Sequence, residues 1–333
     1  MFNVAPSDYC NIPAHEKPRL LVVIDTEEEF DWSDNFSRGN TSVQSMQWIG
    51  RVQTIFDEYG ITPVYVIDYP VASQPNGYEP LADIHRDQRC IIGTHLHPWV
   101  NPPFEEIVNR KNSFAGNLPM TLEKTKLLVL TECIEEHFGR RPTVYKAGRY
   151  GVGPHTTTIL EELGYEIDLS VCPYMNYASE EGPDYSEYSP WPFWFGKEKQ
   201  LLELPLTVGY TGWLRHLGPA LHPLVTNAFL TSLRVPGILA RLNVLNKSWL
   251  SPEGYPTSEH RQLVQTLYNA GLRVFSFAFH SPSVEPGHTP YVRSKADLDD
   301  FLGRLRRFFD FFFGETQGVA STPLLLKQEL LNT

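Results

Sequence analysis

The chain has few cysteines, a shortage of positive charge and no long apolar run, and each shortage excludes a class of protein. Its four cysteines are scattered along 333 residues and form no CxxC pair. This favours reduced, mostly buried thiols over a disulfide framework or a zinc knuckle. The 28 lysines and arginines are outnumbered by 39 aspartates and glutamates, which gives a net charge of -11. Because binding to a phosphate backbone needs a basic face, we expect no nucleic-acid partner.

The missing apolar runs bear on localisation. No stretch reaches the roughly 20 apolar residues that a membrane-spanning helix needs, and residues 1–17 are polar and lack the apolar core of a signal peptide. We therefore expect a cytoplasmic protein. The length fits one large domain, so we expect an N-terminal extension over residues 1–17 and a single domain over residues 18–333.

Short apolar runs alternate along the chain with segments of helical periodicity. The predicted strands are residues 20–24, 64–67, 90–92, 144–147, 201–205 and 274–279, and predicted helices begin near residues 46, 121, 155, 258 and 295. This alternation predicts an α/β fold with a parallel sheet, closed into a barrel at this length. Two stretches, at about residues 173–200 and 206–252, break the pattern and are predicted to be insertions on the barrel.

Polar side chains follow three of the predicted strands. Asp25 and Glu27 follow the first strand, His95 and His97 follow the third, and His280 follows the last. Functional groups of α/β barrels lie at the carboxyl ends of the strands, and alternate residues of an extended segment point to the same side. Two imidazoles and a carboxylate can hold a divalent ion, while another carboxylate and a histidine transfer protons. The pattern therefore predicts a hydrolytic metal site.

Each of these motifs also has a plainer interpretation. Residues 27–29, which are all glutamates, would also fit a solvated acidic loop, and Asp31 competes with Glu27 as the metal ligand. A pair of histidines separated by one residue is weak evidence by itself, since most histidines are surface or core residues. His280 would also fit a core histidine that is bonded to the backbone.

Four stretches, in this order, resemble the polysaccharide deacetylase family (NodB-homology domain, carbohydrate esterase family four). They are residues 24–32 (IDTEEEFDW), 93–99 (GTHLHPW), 146–151 (KAGRYG) and 279–283 (FHSPS). The resemblance is greatest to a WalW-like branch that is found with surface-polysaccharide genes. It implies a deformed (β/α)7-type barrel with loop and helical insertions, and the hydrolysis of an N-acetyl group on a saccharide.

The resemblance also implies which residues carry the chemistry at the start of the chain. The leading Asp of the first motif is the base in the family, and it corresponds to Asp25. The metal ligand would be Glu27, because Thr26 occupies the position of the family's acidic ligand. His95 and His97 would be the other ligands, although the family's two histidines are four residues apart.

Further roles follow from the third and fourth motifs. The arginine that steadies the base in the family aligns with Lys146, and Arg149 is the alternative residue for that task. A backbone N–H near Tyr150 would stabilise the oxyanion, and His280 would protonate the departing amine. Zinc is the expected ion, with cobalt, nickel or manganese as alternatives, because imidazole ligands suit several divalent metals.

The expected substrate is an acetylated saccharide, and aromatic residues near the motifs are candidates for stacking on its rings: Trp32, Trp99, Tyr150 and Trp213. The alternatives are a hydrolase of a small non-sugar amide and a catalytically silent barrel that binds saccharide or protein. Residues 204–252 contain four lysines and arginines but no Asp or Glu. This stretch fits either a helical insertion packed on the barrel or a flap in weak contact with anionic lipid.

Overall fold

The computed structural model of the chain describes residues 2, 4–30 and 35–332. In chain order its strands are β1 (Arg19–Thr26), β2 (Val64–Ile67), β3 (Ile91–Leu96), β4 (Val144–Ala147), β5 (Ile167–Asp168), β6 (Phe193–Phe195), β7 (Leu201–Glu203), β8 (Val208–Thr211), β9 (Asn246–Trp249), β10 (Val274–His280) and β11 (Val319–Ala320). The helices are α1 (Gly50–Glu58), α2 (Tyr69–Ser73), α3 (Pro75–Arg86), α4 (Met120–Phe138), α5 (Thr156–Leu163), α6 (Gly218–Val225), α7 (Ala228–Ser232), α8 (Val235–Arg241), α9 (Thr257–Asn269), α10 (Lys295–Phe309) and α11 (Pro323–Leu331).

One curled sheet forms the centre of the molecule. Its strand order is β10-β1-β2-β3-β4-β5-β7-β6, and β11 pairs with the start of β1. The pairs from β10 to β7 are parallel, and β6 adds an antiparallel edge. Helices connect most successive strands, so the fold is the predicted deformed (β/α) barrel.

Backbone hydrogen bonds complete the barrel between β5 and β10. The Leu206 N–H donates to the Val171 carbonyl at 3.0 Å, and the Leu250 N–H donates to the Thr207 carbonyl at 2.9 Å. The Ala278 N–H in turn donates to the Leu250 carbonyl at 3.1 Å. The ends of the 206–252 segment thus form part of the barrel wall, which places Trp249 beside the strands that carry the candidate site.

The strands are apolar because the barrel covers both of their faces. Every residue of β1 after Arg19 is buried, and so is every residue of β2. Helix α10 packs phenylalanines against β10, where the Phe277 and Phe308 rings stack with centroids 4.5 Å apart. The parallel ladder between β10 and β1 places the two strands side by side, and they carry His280 and Asp25 towards their carboxyl ends.

The predicted elements differ from the structure mainly at their ends. Strands β2 and β4 have the predicted bounds, whereas β3 continues to Leu96 and therefore includes His95. Helices α2 and α3 were missed because prolines at 70, 75 and 80 interrupt the helical pattern there.

The segment 206–252 forms a ribbon of two antiparallel strands, β8 and β9, with α6, α7 and α8 between them. The division of the chain into an N-terminal extension, a barrel and two insertions stays a prediction. Within the described ranges, no helix has both the length and the apolar character that are needed to cross a bilayer.

Candidate active site

The register of the sheet places candidate residues from distant parts of the chain side by side. Asp25 on β1 lies opposite His280 on β10, and His95 on β3 lies opposite Lys146 on β4. Both pairs lie towards the carboxyl ends of their strands. In parallel α/β barrels these ends meet at one mouth, so side chains that are far apart in sequence converge there.

Glu27, His95 and His97 bring three donor atoms together. The Nε2 atoms of His95 and His97 each lie 3.4 Å from Oε2 of Glu27, and all three residues are buried. Two ligands that are each about 2.1 Å from a tetrahedral ion lie about 3.4 Å apart. The spacing of this donor set therefore fits a divalent metal ion.

The outer nitrogens of the two histidines fix the orientation of their rings. Nδ1 of His95 lies 3.1 Å from the Lys146 carbonyl oxygen, so it carries the proton and donates it. Nδ1 of His97 lies 2.7 Å from Oε2 of Glu28. Burial lowers the pKa of both histidines to about 4. Each ring is therefore neutral at pH 7 and turns the lone pair of Nε2 towards Glu27, as a metal ligand must.

A second layer of carboxyl groups lies behind His97. Glu28 and Asp68 are fully buried, and Oδ2 of Asp68 accepts the Glu28 backbone N–H at 2.7 Å. The other oxygen of Asp68 caps α2 by accepting the Val71 N–H at 2.8 Å. Burial raises the pKa of Glu28 to about 8 and the pKa of Asp68 well above its ordinary value. Glu28 thus holds the His97 ring, and Asp68 connects Glu28 to the first turn of α2.

Asp25 forms a buried ion pair with Lys146. The Lys146 ammonium donates to both carboxylate oxygens of Asp25, at 2.5 and 2.6 Å. Burial acts to raise the pKa of Asp25, but the charges of Lys146 and His280 and the hydrogen bonds from Lys146 hold the pKa below its usual range. Asp25 is therefore a carboxylate at neutral pH and can accept a proton.

His280 has the opposite electrostatic environment. Its Nδ1 lies 2.7 Å from Oε2 of Glu253, and its Nε2 points towards Asp25 at 3.8 Å from Oδ2. The hydroxyl of Ser283 donates to the other oxygen of Glu253 at 2.5 Å. Burial acts to lower the pKa of His280, but Glu253, Glu27 and Asp25 outweigh it and raise the pKa to about 10. His280 is therefore an imidazolium at neutral pH and can donate a proton.

Asp25, Glu27, His95 and His280 open onto a cavity of about 310 Å³. An adjoining cavity of about 200 Å³ lies behind Asp25 and His280. Aromatic rings form much of the wall of the larger cavity, and those that contribute are Phe30, Tyr150, Tyr177, Trp249 and Tyr291.

Arg149 lies on the rim of this cavity and not beside the base. Its guanidinium donates to the carboxylate of Glu180 and, at 2.5 Å, to the hydroxyl of Ser113. It also stacks on the Phe114 ring, 4.0 Å from the centroid. Lys146 alone of the two candidate cations contacts Asp25, so of the two it is the one in position to hold the candidate base.

The predicted aromatic contacts are distributed unevenly. Tyr150 lines the cavity, whereas Trp99 is 1% exposed and stacks on the His97 ring with centroids 4.3 Å apart. Trp99 thus supports a candidate ligand and has no access to a sugar. Trp213 is 68% exposed, lies in the segment between β8 and β9, and is not among the residues that line the cavity. Trp32, like the alternative ligand Asp31, lies outside the described residues.

Sequence reasoning missed Asp68, Glu253 and the buried state of Glu28. Asp68 directly follows β2, so the rule that drew attention to Asp25 would also have identified it. Glu28 belongs to an acidic run that also fits an exposed loop, and only its 0% exposure excludes that interpretation. No pattern in the sequence identifies Glu253. Its contact with His280 depends on the path of the chain after β9 along the barrel wall.

Comparisons with known proteins identify the fold. No family model and no curated protein matches the sequence. Solved structures do match, including a protein from Mycobacterium smegmatis that is assigned as a polysaccharide deacetylase, at a TM-score of 0.55 and 14% identity over 99% of this chain and 96% of the other.

Two further structures have similar folds. A protein from Pseudomonas aeruginosa PAO1, also assigned as a polysaccharide deacetylase, matches at a TM-score of 0.53 and 13% identity over 94% of this chain and 91% of its own. Puue allantoinase matches at a TM-score of 0.54 and 15% sequence identity, over 99% of this chain and 99% of its own. The chain therefore has the (β/α) barrel fold of these proteins.

The close approach of Gly148 to His97 yields a first prediction. A Cβ atom at position 148 would lie 2.3 Å from Cδ2 of His97 and 2.5 Å from the Leu96 carbonyl oxygen. We expect Gly148→Ala to push the His97 ring aside and to weaken zinc binding about 10- to 100-fold, the usual effect of disturbing the support of a ligand. Isothermal titration calorimetry with zinc measures this.

The matched control is Gly50→Ala, since a Cβ at position 50 meets nothing within 4 Å. It should bind zinc like the parent protein. Circular dichroism of both variants verifies that they fold. If the folded Gly148→Ala variant binds zinc with unchanged affinity, His97 is not a ligand.

Proposed function

We propose that this chain is a metal-dependent hydrolase of the polysaccharide deacetylase type, which removes an N-acetyl group from a saccharide. One observation carries the proposal: the donor atoms of Glu27, His95 and His97 converge beside Asp25 and His280 in a single cavity. The assigned names of the M. smegmatis and P. aeruginosa structures with a similar fold support the choice of reaction.

The metal ion would be held by Glu27, His95 and His97, with zinc as the first choice and cobalt, nickel or manganese as alternatives. When bound, such an ion polarises an amide carbonyl and lowers the pKa of a bound water. Burial raises the pKa of Glu27 to about 7, against the opposing effects of His280 and His97. A cation at this position would keep Glu27 ionised and compensate its buried charge.

Asp25 supplies the base in this proposal. Its carboxylate accepts a proton from the attacking water, while the Lys146 ammonium holds it in place and keeps it ionised. Lysine is a point charge and not the planar fork of arginine, so Asp25 is held by one ammonium group that contacts both of its oxygens.

His280 supplies the acid. Its Nε2 faces the same space as Asp25, and Glu253 holds the other side of the ring. The hydrolysis breaks the amide C–N bond, adds the hydroxyl of water to the acyl carbon and releases acetate. His280 donates the proton that lets the nitrogen leave as a free amine, and Asp25 and His280 suit opposite tasks because their pKa values are shifted in opposite directions.

The walls of the cavities suit an acylated sugar. Tyr150, Tyr177 and Trp249 present ring faces or edges to the larger cavity, and such rings pack well against the apolar face of a sugar. The adjoining cavity has an apolar wall that includes Leu206, Val208 and Phe279, next to Asp25 and His280. We place the acyl methyl group there and the sugar in the larger cavity. We further propose a role in surface-polysaccharide metabolism, which would supply an acylated sugar of this kind.

Two observations favour alternative functions for this site. The likeness to Puue allantoinase over the whole chain favours a small non-sugar amide or cyclic imide as the alternative substrate. The contacts of Lys146 with both oxygens of Asp25 favour a silent barrel, because they compete with proton transfer. Comparing the rates of hydrolysis of N-acetylated saccharides with those of small amides and imides distinguishes the proposed substrate from the first alternative. If the protein takes up no divalent metal, the silent barrel is favoured.

Replacement of the base tests the proposal directly. We expect Asp25→Asn to lower deacetylation at least about 100-fold, since general-base catalysis contributes about that much or more, and to leave metal uptake unchanged. Acetate release and metal content of the purified variant measure the two effects.

Asp299→Asn is the control, because Asp299 is an exposed carboxylate outside the cavity. Retained metal in Asp25→Asn shows that the ligand set has folded despite the loss of the ion pair with Lys146. If that variant still deacetylates at the parent rate, Asp25 is not the base.

The pH dependence of the reaction tests the acid. Glu253 raises the pKa of His280, so Glu253→Gln should lower that pKa and make His280 lose its proton at a lower pH. Removal of one adjacent charge shifts a pKa by about 1 to 3 units, so we expect the alkaline limb of the rate profile to move to lower pH by that amount. Asp25 and Glu27 still face the imidazole in this variant, so part of the upward shift in the pKa of His280 remains.

Glu198→Gln, an exposed substitution outside the cavity, should leave the profile unchanged. An alkaline limb that stays in place in Glu253→Gln, with the rate otherwise intact, would show that His280 is not the acid.

A further inference from the structure

Residues 212–244, which make up all but the last residue of the segment between β8 and β9, form a helical flap on the barrel. Its base is fixed: the Trp213 N–H donates to the Asn243 carbonyl at 3.1 Å, and the Leu214 N–H donates to the Val244 carbonyl at 2.9 Å. Gly218 lies directly against the ring of Tyr210 on β8 and is the only buried residue of this fully described stretch. The flap is thus attached at one end, and almost all of its side chains are outside the core.

The exposed side chains of the flap are unusually apolar. Half of the large hydrophobic residues that are exposed in the described chain lie within it, and these are Trp213, Leu217, Leu224, Phe229, Leu233, Ile238 and Leu242. Large apolar clusters on a surface mark sites that contact a partner or a membrane. A short helical segment with so little core of its own is expected to be covered by something.

The charge of the flap is opposite to that of the rest of the chain. Residues 204–252 contain no carboxylate, although the whole chain has a net charge of -11. Arg215, Arg234 and Arg241 are exposed, and none of them has an ion-pair partner among the described residues. The flap therefore offers unpaired cations next to exposed aromatic and aliphatic side chains.

We propose that the flap binds the surface of membranes that contain anionic lipid. Arginines among Trp, Phe and Leu side chains are the combination that lies in a lipid interface, where apolar groups enter the acyl boundary and cations meet the headgroups. Each cation near an anionic surface strengthens binding about fivefold, so three arginines contribute a factor of about 100.

A second copy of the chain fits this surface less well. In a symmetric dimer the same patch faces itself, so the unpaired arginines of one flap would meet those of the other. No carboxylate of the flap is available to compensate them. An anionic lipid surface provides the missing negative charge.

The position of the flap would bring the candidate site to the membrane. The strand that closes it, β9, carries Trp249, which lines both cavities, and Lys247, which donates to the Tyr174 carbonyl at 3.2 Å. The candidate site would then have access to a saccharide that is anchored in lipid, a consequence that rests on the proposed function. Membrane binding itself does not depend on it.

Vesicle co-sedimentation of the full chain tests the proposal. We expect binding to vesicles of phosphatidylcholine with about one third phosphatidylglycerol, little binding to phosphatidylcholine alone, and release when the salt is raised towards about 1 M. The triple variant Arg215→Gln, Arg234→Gln, Arg241→Gln should bind roughly 100-fold more weakly. The variant Leu224→Ser, Phe229→Ser, Leu233→Ser should also lose binding.

The matched control carries the same change of charge elsewhere, at exposed positions: Lys111→Gln, Arg140→Gln and Lys197→Gln. It should bind like the parent. Hydrolysis of a soluble substrate should be equal in all variants. Co-sedimentation thus tests membrane binding alone, and the hydrolysis rate tests the proposed reaction alone. Equal binding to neutral and anionic vesicles, or full binding by the arginine variant, would overturn the proposal. Sedimentation equilibrium that shows a dimer abolished by the serine variant, without vesicle binding, would assign the surface to a second copy.

Discussion

The balance of buried charge at the barrel mouth is the constraint on which the site depends. Five carboxyl groups are nearly or fully buried there: Asp25, Glu27, Glu28, Asp68 and Glu253. An uncompensated buried charge costs several kcal/mol, so each of these groups needs a partner or a proton. Lys146 neutralises Asp25, His280 pairs with Glu253, and burial raises the pKa values of Glu28 and Asp68, which favours their neutral forms. Glu27 lies between two neutral imidazoles, and a divalent cation is the partner that fits this arrangement.

The same balance separates the chemical tasks. Asp25 and His280 lie in register on neighbouring strands, yet Lys146 keeps the first ionised and Glu253 keeps the second protonated. The proposed base and the proposed acid thus face one cavity in opposite protonation states, since their charged partners lie on different sides. The rigid parallel strands fix the spacing, and the support behind His97 fixes the orientation of the ligands.

Much of this could be predicted from the sequence. Parallel strands read as near-continuous apolar runs, so Val64–Ile67 and Val144–Ala147 were located to the residue, and polar residues after such runs pointed to Asp25, His95 and His280. Contacts between distant elements could not be predicted. Burial of Trp99 against His97, the ion pair of Arg149 with Glu180, and the approach of Glu253 to His280 all depend on how loops return to the barrel. Local composition has no information about that path.

The most direct test of the central claim is the anomalous diffraction of a crystal soaked with zinc. The charge balance predicts one strong peak about 2.0 to 2.2 Å from Nε2 of His95, Nε2 of His97 and a carboxylate oxygen of Glu27. The group of Glu28, Asp68 and His97 offers another set of three donors on the far side of the same ring. A peak at that group, or the absence of any peak in a folded protein, would contradict the assignment of the metal centre and with it the hydrolase.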